Sequence, residues 1–219
     1  MTYAALHFRD LALNALLARD GTPSDHPAAL LSSGHAGERE KSHLIAVNSS
    51  ARQLNIHPGL RTIRGLARCP DLLLLDPDPS SEQSAQEETL AFVDSLVPDF
   101  EPTTPETYLL DLSTLLIPSN DDWIADTLRA SRSLALPLQI GLGPTPDLAH
   151  LSSLAPGQSD PHALPLNELI RTPAFPIPHA RVLQLWGLKT LGDLAQLPRQ
   201  GLAERLGPDL ARLHDILHQ

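Results

Sequence analysis

Twenty-one prolines are spread through 219 residues, and that spacing limits the chain more than any other feature. Each proline fixes φ and removes a backbone donor, so it is confined to element starts, edges and turns. A chain punctuated this often folds as many short elements joined by stiff connections, not as a few long helices. No apolar run is long enough to span a bilayer. The start, MTYAALHFRD, lacks the basic-then-apolar pattern of a signal peptide. Aromatic residues make up only 4% of the chain, which leaves core packing to Leu, Ile, Val and Ala. The length suffices for a buried core, as one large domain or two small ones. Cys69 is the single cysteine and excludes an internal disulfide framework. Together these features lead to the expectation of a cytoplasmic protein.

Charge is distributed unevenly. The net charge of −10 argues against a protein that coats nucleic acid. Residues 1–72 carry eight Lys/Arg against six Asp/Glu, residues 73–163 two against fifteen, and residues 164–219 six against five. Any grip on a phosphate backbone must therefore come from the two ends, because counterion release needs clustered cations.

Apolar patterning orders the elements. Tyr3–Phe8 has the composition of a short buried strand, and a helix over residues 11–18 follows, closed by Asp20-Gly21-Thr22-Pro23. Ala28–Leu31 and Leu44–Val47 are strand-length apolar runs separated by a polar, glycine-bearing loop at 32–42. Short helices are expected at 49–54 and 60–67, on either side of an Asn55-Ile56-His57-Pro58-Gly59 turn. Residues 72–75 predict a strand buried on both faces. Ser80 or Ser81 then caps a helix over 82–97 whose apolar stripe is Leu90, Val93, Leu96 and Val97. Strands around 100–102 and 108–112, a helix at 121–133, a strand at 138–142 and a helix at 147–154 complete an alternating series. Such a series suits a ferredoxin-like split βαβ sheet. A linker at 156–161, rich in Pro, Gly, Ser and Asp, leads to four short helices at 179–186, 190–196, 199–206 and 209–218. Pro198 and Pro208 suit first-turn positions there, and Gly187 and Gly207 suit helix ends.

The most specific pattern lies at 49–78, SSARQLNIHPGLRTIRGLARCPDLLLLDPD. Ala51-Arg52, Asn55, Pro58-Gly59, Ala67 and Cys69-Pro70-Asp71-Leu72 in this stretch resemble the AR…G…PG…A…CPDL pattern of the Y-family (translesion) DNA polymerases. Asn55 stands in place of a glycine, an exchange that an αL position tolerates. Thr107-Tyr108-Leu109-Leu110-Asp111-Leu112 is similar to the family's strand after its acidic motif, and WGLKTLGDLAQLP at 186–198 resembles its thumb. With these elements in family order, the chain resembles most the ImuB-type polymerase-like proteins. The resemblance implies an α+β fold. A ferredoxin-like palm sheet with small helical fingers is followed by an all-α helix-hairpin-helix, thumb-like domain. Palm and fingers (a UmuC-like domain) would occupy residues 1–160, with the fingers at about 10–70, and the thumb 164–219.

Active members of that family hold two divalent ions on carboxylates from two strands. By the resemblance, the first motif, two aspartates separated by one residue, falls on His7 and Arg9. The second, an Asp-Glu pair, falls on Glu106 and Thr107. One carboxylate of four remains, and Arg9 would repel a nearby Mg²⁺ by on the order of several kcal/mol at an effective dielectric near 20. The expectation is therefore a degenerate site with no catalytic residues, no metal and no cofactor. The family's gate against ribonucleotides falls on Ala12, and its triphosphate-contacting tyrosine and arginine fall on Ser49 and Arg52. Its lysine-bearing loop falls on Gly143-Pro144-Thr145-Pro146, which carries no cation. The thumb hairpin, PAFPIP at 173–178, contains three prolines that remove donors, so DNA binding there is expected to be weak. Arg61, Arg64 and Arg68 fall at i, i+3 and i+7, on one helical face near Arg52. That face is either a phosphate-contacting patch or a solvated surface.

The implied role is a polymerase-like adaptor in DNA repair and damage-induced (SOS) mutagenesis. The implied partners are an ImuA-like protein, an error-prone replicative-type polymerase and the sliding clamp, with weak DNA contact and no membrane. Two other readings stay open. One is an active nucleotidyl transferase using Mg²⁺ with Glu106 and Asp111. The other is a non-catalytic DNA-binding module acting through the thumb and residues 52–68. Ten histidines show no metal spacing beside a cysteine. Gly141-Leu142-Gly143-Pro144-Thr145-Pro146 lacks the Gly-Lys-Ser/Thr of a phosphate loop and is expected to be a strand-to-helix turn. Residues 184–188, QLWGL, bear a slight likeness to a sliding-clamp peptide. Their position in a predicted helix places Trp186 in the thumb core instead.

Overall fold

The structure, a computed structural model, describes residues 2–23, 25–32, 42–115, 119–155, 160–169, 175 and 180–219. The expected loop at 32–42, the 156–161 linker and the 173–178 hairpin lie mostly outside them. Along the chain the elements are β1 (Tyr3–Phe8), α1 (Leu11–Arg19), β2 (Ala28–Leu31), β3 (Leu44–Val47), α2 (Ser49–Gln53), α3 (Thr62–Arg68), β4 (Leu73–Leu75), α4 (Pro79–Leu96), β5 (Phe100–Thr104) and β6 (Thr107–Asp111). They continue as α5 (Asn120–Ala130), β7 (Leu138–Gly143), α6 (Pro146–Ser153), α7 (Leu166–Leu169), α8 (Ala180–Leu185), α9 (Leu191–Ala195), α10 (Arg199–Leu206) and α11 (Pro208–Leu217). The expected alternation holds, with most boundaries shifted by a residue or two; the four-residue α7 carried no sequence signal. No helix among the described residues is long and apolar enough to cross a membrane.

The chain divides into two compact units. One comprises Met1–His7, Val97–Thr127 and Leu138–Gln219. Its four-stranded sheet has the order β5-β6-β1-β7, with β6 antiparallel to both β5 and β1. Ranked by chain position the strands run 2-3-1-4, which is the ferredoxin-like order. α6 packs directly on β7. A Cβ placed on Gly141 would lie 2.1 Å from the Ser153 amide nitrogen and 2.2 Å from the Ala149 carbonyl oxygen. The stretch 141–146 is thus a strand-to-helix turn, with Thr145 as the N-cap accepting from the Leu148 amide. Its glycines serve close backbone packing. Leu148, Leu151 and Leu154 face a helical cluster with Leu164, Leu191, Leu194, Leu210 and Leu213. A capping box between Thr190 and Asp193 starts α9, and Gly207, at φ 96°, separates α10 from α11. Trp186 does not join the core: it is 48% exposed, and Leu185 beside it is 77% exposed. α8 ends at Leu185, so the Trp186 side chain leaves the buried stripe that Leu183 belongs to.

The other unit comprises Phe8–Leu96 and Leu128–Pro137. Its three-stranded sheet has the order β3-β2-β4, antiparallel between β2 and β3 and parallel between β2 and β4. β2 is the strand buried on both faces. Ala29 and Leu31 pack with Leu44, Val47, Ala51 and Ile56, while Ala28 and Leu30 pack with Leu13, Leu16 and Leu17 of α1. That division follows from the two-residue side-chain period of a strand. β4, expected to be doubly buried, is an edge strand with Leu73, Leu74 and Leu75 all half-buried. On α4 the buried face is Ala85, Thr89 and Val93; of the predicted stripe Val93 and Val97 are buried and Leu96 half-buried, while Leu90 is exposed. Its start is capped by Asp78, not by Ser80 or Ser81. The Asp78 carboxylate accepts from the Ser80 amide (3.1 Å) and from both serine hydroxyls (2.7 and 2.9 Å). Those bonds, led by the Ser80 and Ser81 hydroxyls and aided by Arg19, lower its pKa to about 2.

Two outcomes follow from the first unit's packing. Gly141→Ala should lose more than about 3 kcal/mol of stability, because the clash is with backbone that cannot yield. Gly201→Ala, in α10 with nothing within 4 Å of the added carbon, should instead gain up to about 1 kcal/mol in the same denaturant titration. His150 is buried edge-to-face on Phe175 at 5.0 Å, and burial lowers its pKa to about 4. Its unfolded-state value is near 6.5, so the unfolded chain takes up a proton that the folded one refuses. The stability tied to this group is complete above about pH 6.5 and falls by about 3 kcal/mol as pH drops to about 4. Denaturation midpoints at neutral and acidic pH should converge in His150→Leu; an unchanged pH dependence in that variant would refute the assignment.

Candidate functional site

The positions singled out by sequence fall in both units, and each group is described where it lies. In the first unit His7 stands near the end of β1, in register with Thr107 at the start of β6. Both are buried, and His7 Nδ1 shares a 3.0 Å hydrogen bond with Thr107 Oγ1. Antiparallel pairing makes this contact, because directly opposed residues present side chains to the same face. Glu106 is half-buried in the turn between β5 and β6, where its amide donates to Thr104 Oγ1 at 3.3 Å. Asp111 ends β6 opposite Tyr3, at the far end of the ladder from Thr107. Its carboxylate accepts from the Ser113 hydroxyl (2.6 Å) and amide (2.9 Å), and those two bonds lower its pKa.

In the second unit Arg9 and Asp10 form the turn between β1 and α1. Asp10 is the N-cap of α1, with φ 50° and ψ 45°. The Asn14 side-chain amide fixes this turn by donating to the carbonyls of Arg9 (2.7 Å) and Asp10 (3.3 Å). Asp10 Oδ2 accepts from Arg52 Nη2 at 2.5 Å and lies 3.7 Å from Arg9 Nε. Arg52 reaches it from α2, whose start is fixed by Asn48. The Asn48 carboxamide accepts from the Ala28 and Ala51 amides, each at 3.0 Å, and donates to the His26 carbonyl at 2.7 Å. Asn55 does adopt the left-handed conformation, φ 57°. Sequence reasoning missed Asp10 as the partner of Arg52. The available signal was an aspartate directly before a helix, a preferred N-cap.

Arg61, Arg64 and Arg68 are all exposed. The helix starts later than expected, however, so Arg61 is its extended N-cap and only Arg64 and Arg68 stand on α3. Arg68 donates to the Asn55 carbonyl. Arg52 turns instead toward Asp10.

Mg²⁺ requires hard oxygen ligands that converge. The positions considered for it offer an imidazole bonded to a hydroxyl, that hydroxyl, a guanidinium and one carboxylate. Glu106 precedes β6 and Asp111 ends it; the strand alone covers four steps, roughly 14 Å at 3.4 Å per residue, so the two cannot share an ion. Among the described residues, no three His, Cys, Asp or Glu side chains group as metal ligands. The donor set does not fit a magnesium pair.

A family model described as IMS: impB/mucB/samB family matches residues 14–154, more than half of the chain. The chain belongs to that family, as a UmuC-like, Y-family polymerase-like domain. It is 25% identical over 194 residues to DNA polymerase IV of Mannheimia succiniciproducens, covering 82% of this chain and 54% of that protein. It is 24% identical over 196 residues to DNA polymerase IV of Ralstonia nicotianae, with the same coverages. The chain thus spans about half the length of these relatives. Its fold matches the crystal structure of DinB from Sulfolobus solfataricus with a TM-score of 0.75 at 14% identity, over all of this chain and 67% of that one. A Dbh ternary complex matches with a TM-score of 0.71 at 13% identity, over 100% and 67% of the two chains. At such identity the likeness is one of fold.

Proposed function

We propose that this chain is a non-catalytic, ImuB-type member of the Y-family polymerase-like proteins, acting in the cytoplasm as an adaptor in translesion synthesis and damage-induced mutagenesis. The observation that carries this reading is the His7–Thr107 hydrogen bond. It fills, with an imidazole and a hydroxyl, positions that the resemblance assigns to metal-binding carboxylates. Such a pair offers no anionic oxygen to gather divalent cations. A domain that keeps the polymerase fold but cannot hold the ions is suited to shaping a complex. An ImuA-like protein, an error-prone replicative-type polymerase and the sliding clamp are the partners this reading implies. Primer-extension assays with each of the four deoxynucleotides and either Mg²⁺ or Mn²⁺ should give no incorporation above background. Incorporation that disappears in Glu106→Ala would overturn the reading.

A secondary role in touching DNA is favoured by the exposure of Arg61, Arg64 and Arg68 on a unit with a basic N-terminal segment. Cations placed this way contact phosphate without reading sequence. Binding to primer–template DNA should weaken with salt, and Arg64→Ala and Arg68→Ala should each reduce the slope of log affinity against log salt by about 1. An unchanged slope in the double variant would leave the three arginines as a solvated face.

A further inference from the structure

The last turn of α11 brings two histidines together, away from every position considered above. His214 and His218 stand at i and i+4, which puts them on one face of the helix. Their rings are stacked, with centroids 4.2 Å apart and planes 21° from parallel.

The Nδ1 atoms decide what each ring can offer. In His218, Nδ1 lies 2.8 Å from the His214 carbonyl oxygen, which can only accept, so Nδ1 carries the proton. A neutral His218 therefore keeps its lone pair on Nε2. In His214, Nδ1 is buried and has no hydrogen-bond partner among the described residues. The 13% exposure of that side chain lies on its other atoms, which leaves Nε2 as its one candidate ligand atom. Both rings thus offer the same nitrogen. A bond from the second ring nitrogen to a backbone carbonyl, as in His218, is the usual support of a metal-bound imidazole.

The surroundings tolerate a cation. The last carbonyls of a helix give its end partial negative charge. Asp215 lies next to the pair, with Oδ1 3.9 Å from His214 Nδ1. Arg199 donates two hydrogen bonds to its carboxylate, at 2.6 and 2.7 Å, and these lead the causes that lower its pKa. Asp215 is therefore engaged elsewhere and is not a third ligand, consistent with the absence of a three-ligand group among the described residues.

We infer that His214 and His218 form a two-imidazole site for a borderline divalent transition-metal ion of the zinc class. Imidazole nitrogen suits Zn²⁺, Cu²⁺ and Ni²⁺, whereas Mg²⁺ takes oxygen. Tetrahedral bonds of about 2.0–2.1 Å place two nitrogens roughly 3.3 Å apart. The exposed His218 ring reaches that spacing by a small tilt from its stacked position. Water or an outside ligand fills the remaining positions on the ion. The inference is independent of the adaptor reading, since neither histidine belongs to the degenerate polymerase site.

The full chain would be titrated with Zn²⁺ by calorimetry at about pH 7.5, because the metal takes the neutral ring. Spectra of ¹⁵N-histidine-labelled protein would be recorded in parallel. Zn²⁺ should shift Nε2 of two rings, identified by the loss of their signals in His214→Asn and His218→Asn, and should raise the thermal midpoint of the parent. Each substitution should weaken Zn²⁺ binding at least about tenfold. His57→Asn, which removes an exposed histidine of the second unit, should leave binding unchanged. Mg²⁺ at the same concentration should shift neither ring. Because His218 is exposed, its variant judges the site even where His214→Asn fails to fold. A parent that binds no Zn²⁺, or binding that His218→Asn leaves intact, would overturn the assignment.

Discussion

In the first unit, one strand and one helix approach so closely that no side-chain carbon fits between them, and the rest of that unit is assembled around this contact. Gly141 and Gly143 bring the β7 backbone against Ser152, Ser153 and Ala149 of α6. The opposite side of α6 presents Leu148, Leu151 and Leu154 to the C-terminal helices. One helix of eight residues therefore carries the sheet on one side and a helical cluster on the other. Scarcity of aromatic residues makes this economy necessary. Leucines fill the helical cluster almost alone, with Phe175 as its one buried aromatic ring among the described residues. Such a core depends on each helix being held at short range, and glycine on β7 provides it for the helix on which the others pack.

The second unit solves the same problem with hydrogen bonds. Its central strand β2 has apolar neighbours on both faces, so the unit needs some polar group to fix where the chain enters and leaves. Asn48 serves that purpose by satisfying the amides of Ala28 and Ala51 together with the carbonyl of His26. Because Ala51 and Arg52 share the first turn of α2, the same carboxamide that closes the sheet also aims Arg52. The pairing of Arg52 with Asp10 is thus a consequence of packing around β2, not of a flexible side chain finding a partner.

What could be learned from sequence divides along the range of the forces involved. Strands such as Ala28–Leu31 and helices such as Arg199–Leu206 are fixed by local apolar runs and by proline and glycine punctuation, and both were placed correctly. Burial was less legible. The Leu72–Leu75 run is more continuously apolar than a typical edge strand, yet tertiary pairing puts β4 at the edge and gives the doubly buried role to Ala28–Leu31. Trp186 has the composition of a core residue, but the helix ends one position before it and turns it outward. At the candidate site the residue types were visible in sequence, while their pairings were not. His7 meets Thr107 through a ladder register that spans a hundred residues, and Asp10 meets Arg52 through a sheet closed by Asn48. Neither contact leaves a periodic trace.

The acidity of the chain illustrates why composition alone misleads about metal chemistry. A net charge of −10 invites a search for cation sites, but several carboxylates are engaged by groups close to them in sequence. Asp78 is held by Ser80 and Ser81, Asp111 by Ser113, and Asp193 by the amides of Lys189 and Thr190. Hydrogen bonding of this kind stabilises the charged carboxylate, which is why all three have lowered pKa values. A lowered pKa here reports a capped turn and carries no implication of catalysis. Asp10 differs from these three because its partners are guanidiniums, one of them forty-two residues away. That difference in partner separates an aspartate that finishes a helix or a turn beside it from one that ties the start of α1 to α2.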